Sequence, residues 1–277
     1  MVAAALRKEL QLTPRVDLDQ LARDLKLTIV EVNSKSFEGA LLRSSRRASG
    51  RILIRRGIRE IGRRRFTIAH EVGHYLLHGV QQIPCSPRVI EGWKEGQPAP
   101  EREADNFASE LLLPSMEVTQ HINKRWPSML VIGDVADHFG SSMTAAARKF
   151  CDLAPQACAV VWSSQRQIRW VHASSTFVNF IEVGTDLGFD SLARRAYEGQ
   201  KLPEEMEEVP AEAWIKSPWL RNDAIVSEQS LSMPFYDGCL SLIWVRHPIE
   251  DRPTAEDELL PELDPEGFTL DRKRWPR

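Results

Sequence analysis

The chain has 277 residues, 42% hydrophobic and 27% charged, with a formal net charge of -3. That length can bury a sizeable core in two or three units, and the near-neutral balance gives no global signal for nucleic-acid binding. No apolar run approaches the ~20 residues needed to span a bilayer, and the N-terminus lacks a basic start followed by a long apolar segment, so a cytoplasmic protein with no membrane contact is expected.

Residues 1–35 read as two helical segments and a strand. The run Val16-Asp17-Leu18-Asp19-Gln20-Leu21-Ala22 carries an acidic cap signal and leucines three apart, and the run from Leu27 to Val32 is short and β-branched. Residues 39–43 and 51–55 read as paired strands joined across 44–50. An extended substrate could add to such a sheet as a further strand. From Arg43 to Arg65 ten arginines stand against one acid, Glu60. The run is either a solvated basic face or a patch that steers a partner of complementary charge, and Arg63, Arg64 and Arg65, just before the next helix, are the candidates for substrate binding.

That next helix holds the central motif, His70-Glu71-Val72-Gly73-His74. On a helix, H-E-x-x-H sets two imidazoles one turn apart on one face with the glutamate beside them, which is half of a zinc site. Ala69, Val72, Gly73, Leu76 and Leu77 supply an apolar stripe at helical spacing, and Gly79 is placed as a C-terminal stop. Glu71 is the expected general base. His78 lies one further turn on, about 12 Å along the helix from His70, too far for one ion to bridge all three rings, so it is expected beside the site or on the surface.

Residues 80–100, rich in proline, read as a loop crossing the cleft. The four cysteines, Cys85, Cys151, Cys158 and Cys239, lack C-x-x-C spacing, which argues against a zinc knuckle or a disulfide framework. Cys85 is either an ordinary loop cysteine or a thiolate that could take the fourth metal position. A second amphipathic helix follows, with Ala104, Phe107, Ala108, Leu111 and Leu112 on one face. It can deliver Glu101 as third metal ligand, with Asp105 one turn on to hold the free ring nitrogen of a ligand histidine. Glu103 is the alternative ligand; it lies about 200° around the helix from Glu101, so both cannot face the metal.

The run from Arg63 to His74, followed by Glu101-x-x-Ala104-Asp105-x-Phe107-Ala108-x-x-Leu111-Leu112-Leu113-Pro114, resembles the ImmA/IrrE family of zinc metallopeptidases over roughly residues 1–150. The family often has Asn where this chain has Asp105, and either can accept a proton from histidine. The resemblance implies a Zn²⁺ cofactor, with Mn²⁺ as a candidate substitute, and a protein substrate: a helix-turn-helix transcriptional repressor that is cut to relieve repression, in a stress response or in mobile-element induction.

After Pro114 the pattern is helical. Residues 131–150 have the form of a helix-turn-helix, with a turn at Gly140 and a serine cap. The second helix offers only Arg148 and Lys149 to base edges, and the first exposes Asp134 and Asp137, so direct DNA binding is not expected. From residue 155 strands take over: a hairpin from Ala157–Trp162 to Gln167–Val171, a helix from Leu187 to Tyr197, and strands at 224–228 and 240–245. This α/β layout is similar to the GAF-like domain at the C-terminus of some family members, which could take a small-molecule ligand. Its tryptophans (Trp162, Trp170, Trp214, Trp219, Trp244) read as core. The tail from Pro248 is acidic and proline-rich, with Phe268 and Trp275 as anchors.

The expected fold is therefore α+β: a zincin-like metallopeptidase domain at 1–114, a helix-turn-helix-like region at 115–153, a GAF-like domain at 154–247 and a tail at 248–277. The expected activity is zinc-dependent endopeptidase cleavage of a repressor. The rival is a non-enzymatic antirepressor or DNA-binding regulator with a structural zinc. Such a site is normally closed by four protein ligands, whereas three and a positioned glutamate can be counted here.

Overall fold

The computed structural model describes residues 2–43, 49–78, 84–85 and 98–251. Helices α1 (Val2–Glu9) and α2 (Leu18–Asp24) precede strands β1 (Leu27–Val32), β2 (Gly39–Arg43) and β3 (Gly50–Arg55). Helix α3 (Ile61–Leu77), a two-residue strand β4 (Pro84–Cys85) and helix α4 (Ala99–Leu112) follow. Asp17 caps α2 by accepting from the Gln20 backbone N–H.

The sheet order is β1-β3-β2-β4. The predicted strand pair is present and runs antiparallel, with Leu41 opposite Ile52. Two pairings were not anticipated: β1 runs parallel to β3, and Pro84 and Cys85 pair with Ala40 and Gly39, so residues 80–100 are not wholly loop. Both join segments distant in sequence, where local pattern gives no register. Ile52 and Ile54 of β3 pack with Ile68 and Val72 of α3 and Leu111 of α4 in one core. The Gly79 stop, the Cys85 side chain, and Phe268 and Trp275 of the tail lie outside the described residues.

Helices α5 (Ser115–Ile122), α6 (Met129–Phe139) and α7 (Met143–Leu153) come next. Gly140 ends α6 in the left-handed region at φ +67°, which favours glycine, and Ser142 caps α7 by accepting from the Ala145 N–H. The helix-turn-helix form is thus present, but its turn is docked. A side chain at Gly62, at the start of α3, would collide with the Ser141–Ser142 backbone.

The C-terminal region is a five-stranded antiparallel sheet of β5 (Cys158–Ser164), β6 (Gln167–Ala173), β7 (Glu207–Pro210), β8 (Ile225–Met233) and β9 (Gly238–Trp244), in the order β6-β5-β9-β8-β7. Gln165 and Arg166, both at positive φ, make the tight β5–β6 turn. The helix predicted from Leu187 is only α8 (Leu192–Tyr197), capped by Ser191. Upstream of it, Gly188 sits so close to the Ala213 backbone that a Cβ would stand 2.5 Å from it. Strand β7, with one buried side chain among four, had no readable alternation.

One sheet face, with Val160, Trp162, Trp170, Leu240 and Leu242, shares a core with Ile132, Val135, Phe139, Ala147 and Phe150 of α6 and α7. Trp162, Trp170 and Trp214 are buried as expected of core residues, whereas Trp219 is 48% exposed and Trp244 stacks on Trp126. The sheet region also reaches the N-terminal half, where Tyr236 Oη donates to Glu60 Oε2 at 2.9 Å beside the first turn of α3. Among the described residues no helix is long and apolar enough to cross a membrane.

Candidate metal centre

Helices α3 and α4 cross at Gly73. A Cβ there would lie 3.1 Å from Phe107 Cδ1 and 3.2 Å from the Ala104 Cα, so the absent side chain sets the closeness of the crossing. This brings the one-turn pair His70 and His74 against Glu101 in the first turn of α4. His70 Nε2 and His74 Nε2 are 2.9 Å apart; Glu101 Oε1 is 3.1 Å from His74 Nε2, and Glu101 Oε2 is 3.4 Å from His70 Nε2. Ligands at about 2.0–2.1 Å in a zinc tetrahedron stand roughly 3.3 Å apart. Among the described residues these three form the group whose ligand atoms, all within 4.8 Å of one another, could hold a metal ion.

The surrounding hydrogen bonds fix the tautomers. An ionised Asp105 can only accept, so the 2.9 Å contact from His70 Nδ1 places the ring proton on Nδ1 and leaves the Nε2 lone pair facing the site. A second chain does the same for His74. His78 Nε2 contacts Glu103 Oε2 at 3.0 Å, and His78 Nδ1 contacts His74 Nδ1 at 3.0 Å. With His78 Nε2–H donating to the Glu103 carboxylate, His78 Nδ1 accepts from His74 Nδ1–H, and the His74 Nε2 lone pair also faces inward. Two imidazole lone pairs and a carboxylate converging on one point are a donor set that a divalent cation fits. His78 and Glu103 thus orient His74 and do not compete as ligands. The signal for this was the third histidine at one further helical turn.

Burial pushes the Glu101 carboxyl up, but hydrogen bonds and charge from His70 and His74 outweigh it and hold its pKa below the usual carboxylate range. It is ionised at neutral pH. Glu71 is fully buried on α3. A Cβ at Gly39 of β2 would stand 2.5 Å from Glu71 Oε1 and 2.5 Å from Thr67 Cγ2, so the Glu71 carboxylate rests on the bare backbone of that strand. Sequence reading did not single out Gly39, because its role is visible only across the sheet.

The arginines before the motif have intramolecular partners. Arg63 makes a two-pronged pair with the buried Glu38, at 2.6 and 3.0 Å, and Arg55 joins the same carboxylate at 2.6 Å. Arg64 pairs with Glu31, and Arg65 donates to the Val16 carbonyl. Burial, then the charge of Arg15, lowers the Arg65 pKa. The Arg63 network ties the start of α3 to the residue preceding Gly39.

The fold and the site define a domain in which a helix carrying H-E-x-x-H meets a carboxylate from a second helix beside a small mixed sheet. Residues 22–150 match the peptidase family model described as the IrrE N-terminal-like domain. No curated protein matches the sequence. A solved structure of a Mycobacterium tuberculosis transcriptional regulator is similar at 13% identity with a TM-score of 0.45, covering 82% of this chain and 69% of that one.

Proposed function

We propose that the chain is a zinc-dependent endopeptidase that cleaves a helix-turn-helix transcriptional repressor. The observation that carries the peptidase reading is the convergence of His70 Nε2, His74 Nε2 and the Glu101 carboxylate within 4.8 Å, with Glu71 buried on the same helix between the two histidines. His70, His74 and Glu101 would hold the metal, which when bound supplies a Lewis acid and lowers the pKa of water. Asp105 holds the His70 ring, and His78 with Glu103 holds the His74 ring, so neither imidazole needs to reorient to bind. Glu71 takes the proton of the attacking water at a carboxylate oxygen and passes it to the leaving amine. Burial of that carboxylate keeps bulk water from competing for the proton.

The repressor as substrate rests on the resemblance to the ImmA/IrrE family, as does the GAF-like character of the C-terminal sheet. Arg63 to Arg65 contribute to substrate binding through the parts of their side chains that face solvent. Direct DNA binding by α7 is not part of the proposal, since Lys149 pairs with Glu110 and Arg148 lies over Trp170.

The test is incubation of the purified chain, with Zn²⁺ and with Mn²⁺, against helix-turn-helix repressors encoded beside its gene, in parallel with Glu71→Gln. A discrete product from wild type and none from the variant supports the reading. If both proteins leave the repressor intact and alter its DNA binding equally, the chain is an antirepressor.

A further inference from the structure

The two basic residues of the helix-turn-helix-like segment have a location that the peptidase reading does not use. Arg148 and Lys149 of α7 line a cleft of about 640 Å³, within the range of small-molecule sites, together with Ser109 and Glu110 of α4 and Trp170 and His172 of β6. The cleft therefore lies where the N-terminal half, the helical region and the C-terminal sheet meet.

The charges in the cleft are not equally matched. Glu110 Oε2 accepts from Lys149 Nζ at 2.9 Å, and Asp152 pairs with His172 Nε2 at 2.6 Å, so both acids are engaged. Arg148 makes no ion pair among the described residues; its guanidinium carbon stands 4.0 Å from the centre of the Trp170 ring. Burial lowers its pKa to about 10, against an opposing effect of Asp152. It remains charged at neutral pH. An aromatic face attracts a guanidinium but offers no acceptor to its N–H groups. A part-buried guanidinium with no ion pair of its own, in a cleft where Glu110 and Asp152 are already taken up by Lys149 and His172, suits a planar oxyanion bound in two-pronged fashion.

We propose that this cleft binds a small ligand through an oxyanion group, a carboxylate or a phosphate, held by Arg148 over Trp170 with Lys149 and His172 at its sides. The site is independent of the peptidase reading. Helix α4 links the two places, because Glu101 at its start belongs to the metal centre and Glu110 near its end to the cleft.

The experiment is isothermal titration of the full chain with inorganic phosphate and with succinate, at ionic strength matched by chloride, for wild type, Arg148→Gln and Arg148→Lys. Saturable one-to-one binding of at least one probe is expected, weakened about tenfold or more in both variants, since lysine keeps the charge but loses the fork. The tighter probe tells a phosphate-bearing from a carboxylate-bearing ligand. In wild type, the fluorescence of the Trp170 ring is expected to change with the same saturation curve, a change that Trp170→Phe removes. This reading stands even where a variant of Arg148 fails to fold. Absence of saturable binding of both probes to wild type, or binding that is equal in wild type and in folded Arg148 variants, would overturn the proposal.

Discussion

Replacing Gly39 by alanine is expected to disable the site without touching a metal ligand. The added Cβ would lie 2.5 Å from Glu71 Oε1 and 2.5 Å from Thr67 Cγ2. Ordinary contact is roughly 3.5 Å, so the carboxylate has to retreat by about 1 Å. Gly39 sits in regular strand pairing opposite Ile54, and alanine is compatible with that backbone. The strain thus falls on the two side-chain ends. Overpacking of this kind costs about 1–3 kcal/mol of stability. A misplacement of about 1 Å at a reacting group can cost on the order of 100-fold in rate. The assay is the single-turnover rate of repressor cleavage, beside metal content by mass spectrometry and stability by urea denaturation. Gly39→Ala should lose about two orders of magnitude in rate with its metal content unchanged. A full rate in the variant would show that the Glu71 carboxylate does not move the proton from its present place, and parallel loss of metal would show that the effect is structural.

Further expectations follow from the surroundings of the site. Asp105→Ala should weaken metal binding by about 10–100-fold in a chelator competition, because the His70 ring loses its partner at Nδ1, whereas Asp105→Asn should stay near wild type. Phe139→Ala, in the core shared by the helices and the sheet, should cost about 3–5 kcal/mol in urea unfolding. Glu110 gives a pH test. Burial raises its pKa, but Lys149 and Ser115 outweigh this and leave it lowered. A depressed carboxylate contributes stability that is present above its unfolded pKa and lost as pH falls through the folded one. Melting temperature should therefore fall more steeply with acidification in wild type than in Glu110→Gln, and equal slopes would contradict the assignment.

The helix that carries His70 and His74 could be read from sequence because its information is local. The spacing of His70 and His74 fixes one helix face, and that of Glu101 and Asp105 sets a carboxylate and its neighbour one turn apart. An acidic cap before α2 and a serine cap after Gly140 were readable for the same reason, and the structure supplies them as Asp17 and Ser142. What sequence did not reveal depends on contacts across the fold. The parallel pairing of β1 with β3, the bare backbone at Gly39 and the close crossing at Gly73 have no periodic signature. The helix-turn-helix segment is the instructive case. Its turn glycine and serine cap are where the pattern puts them, yet whether its second helix faces DNA depends on Gly62, Glu110 and Trp170, far away in the chain.

The most direct measurement of the central claim is metal stoichiometry with X-ray absorption on the purified chain and its Glu71→Gln, His74→Ala and Glu101→Ala variants. One ion per chain is expected, with nitrogen and oxygen ligands at about 2.0–2.1 Å, retained in Glu71→Gln and lost or greatly weakened in the other two. Binding that is equal in Glu101→Ala and wild type, or a first shell rich in sulfur, would contradict a centre built from His70, His74 and Glu101.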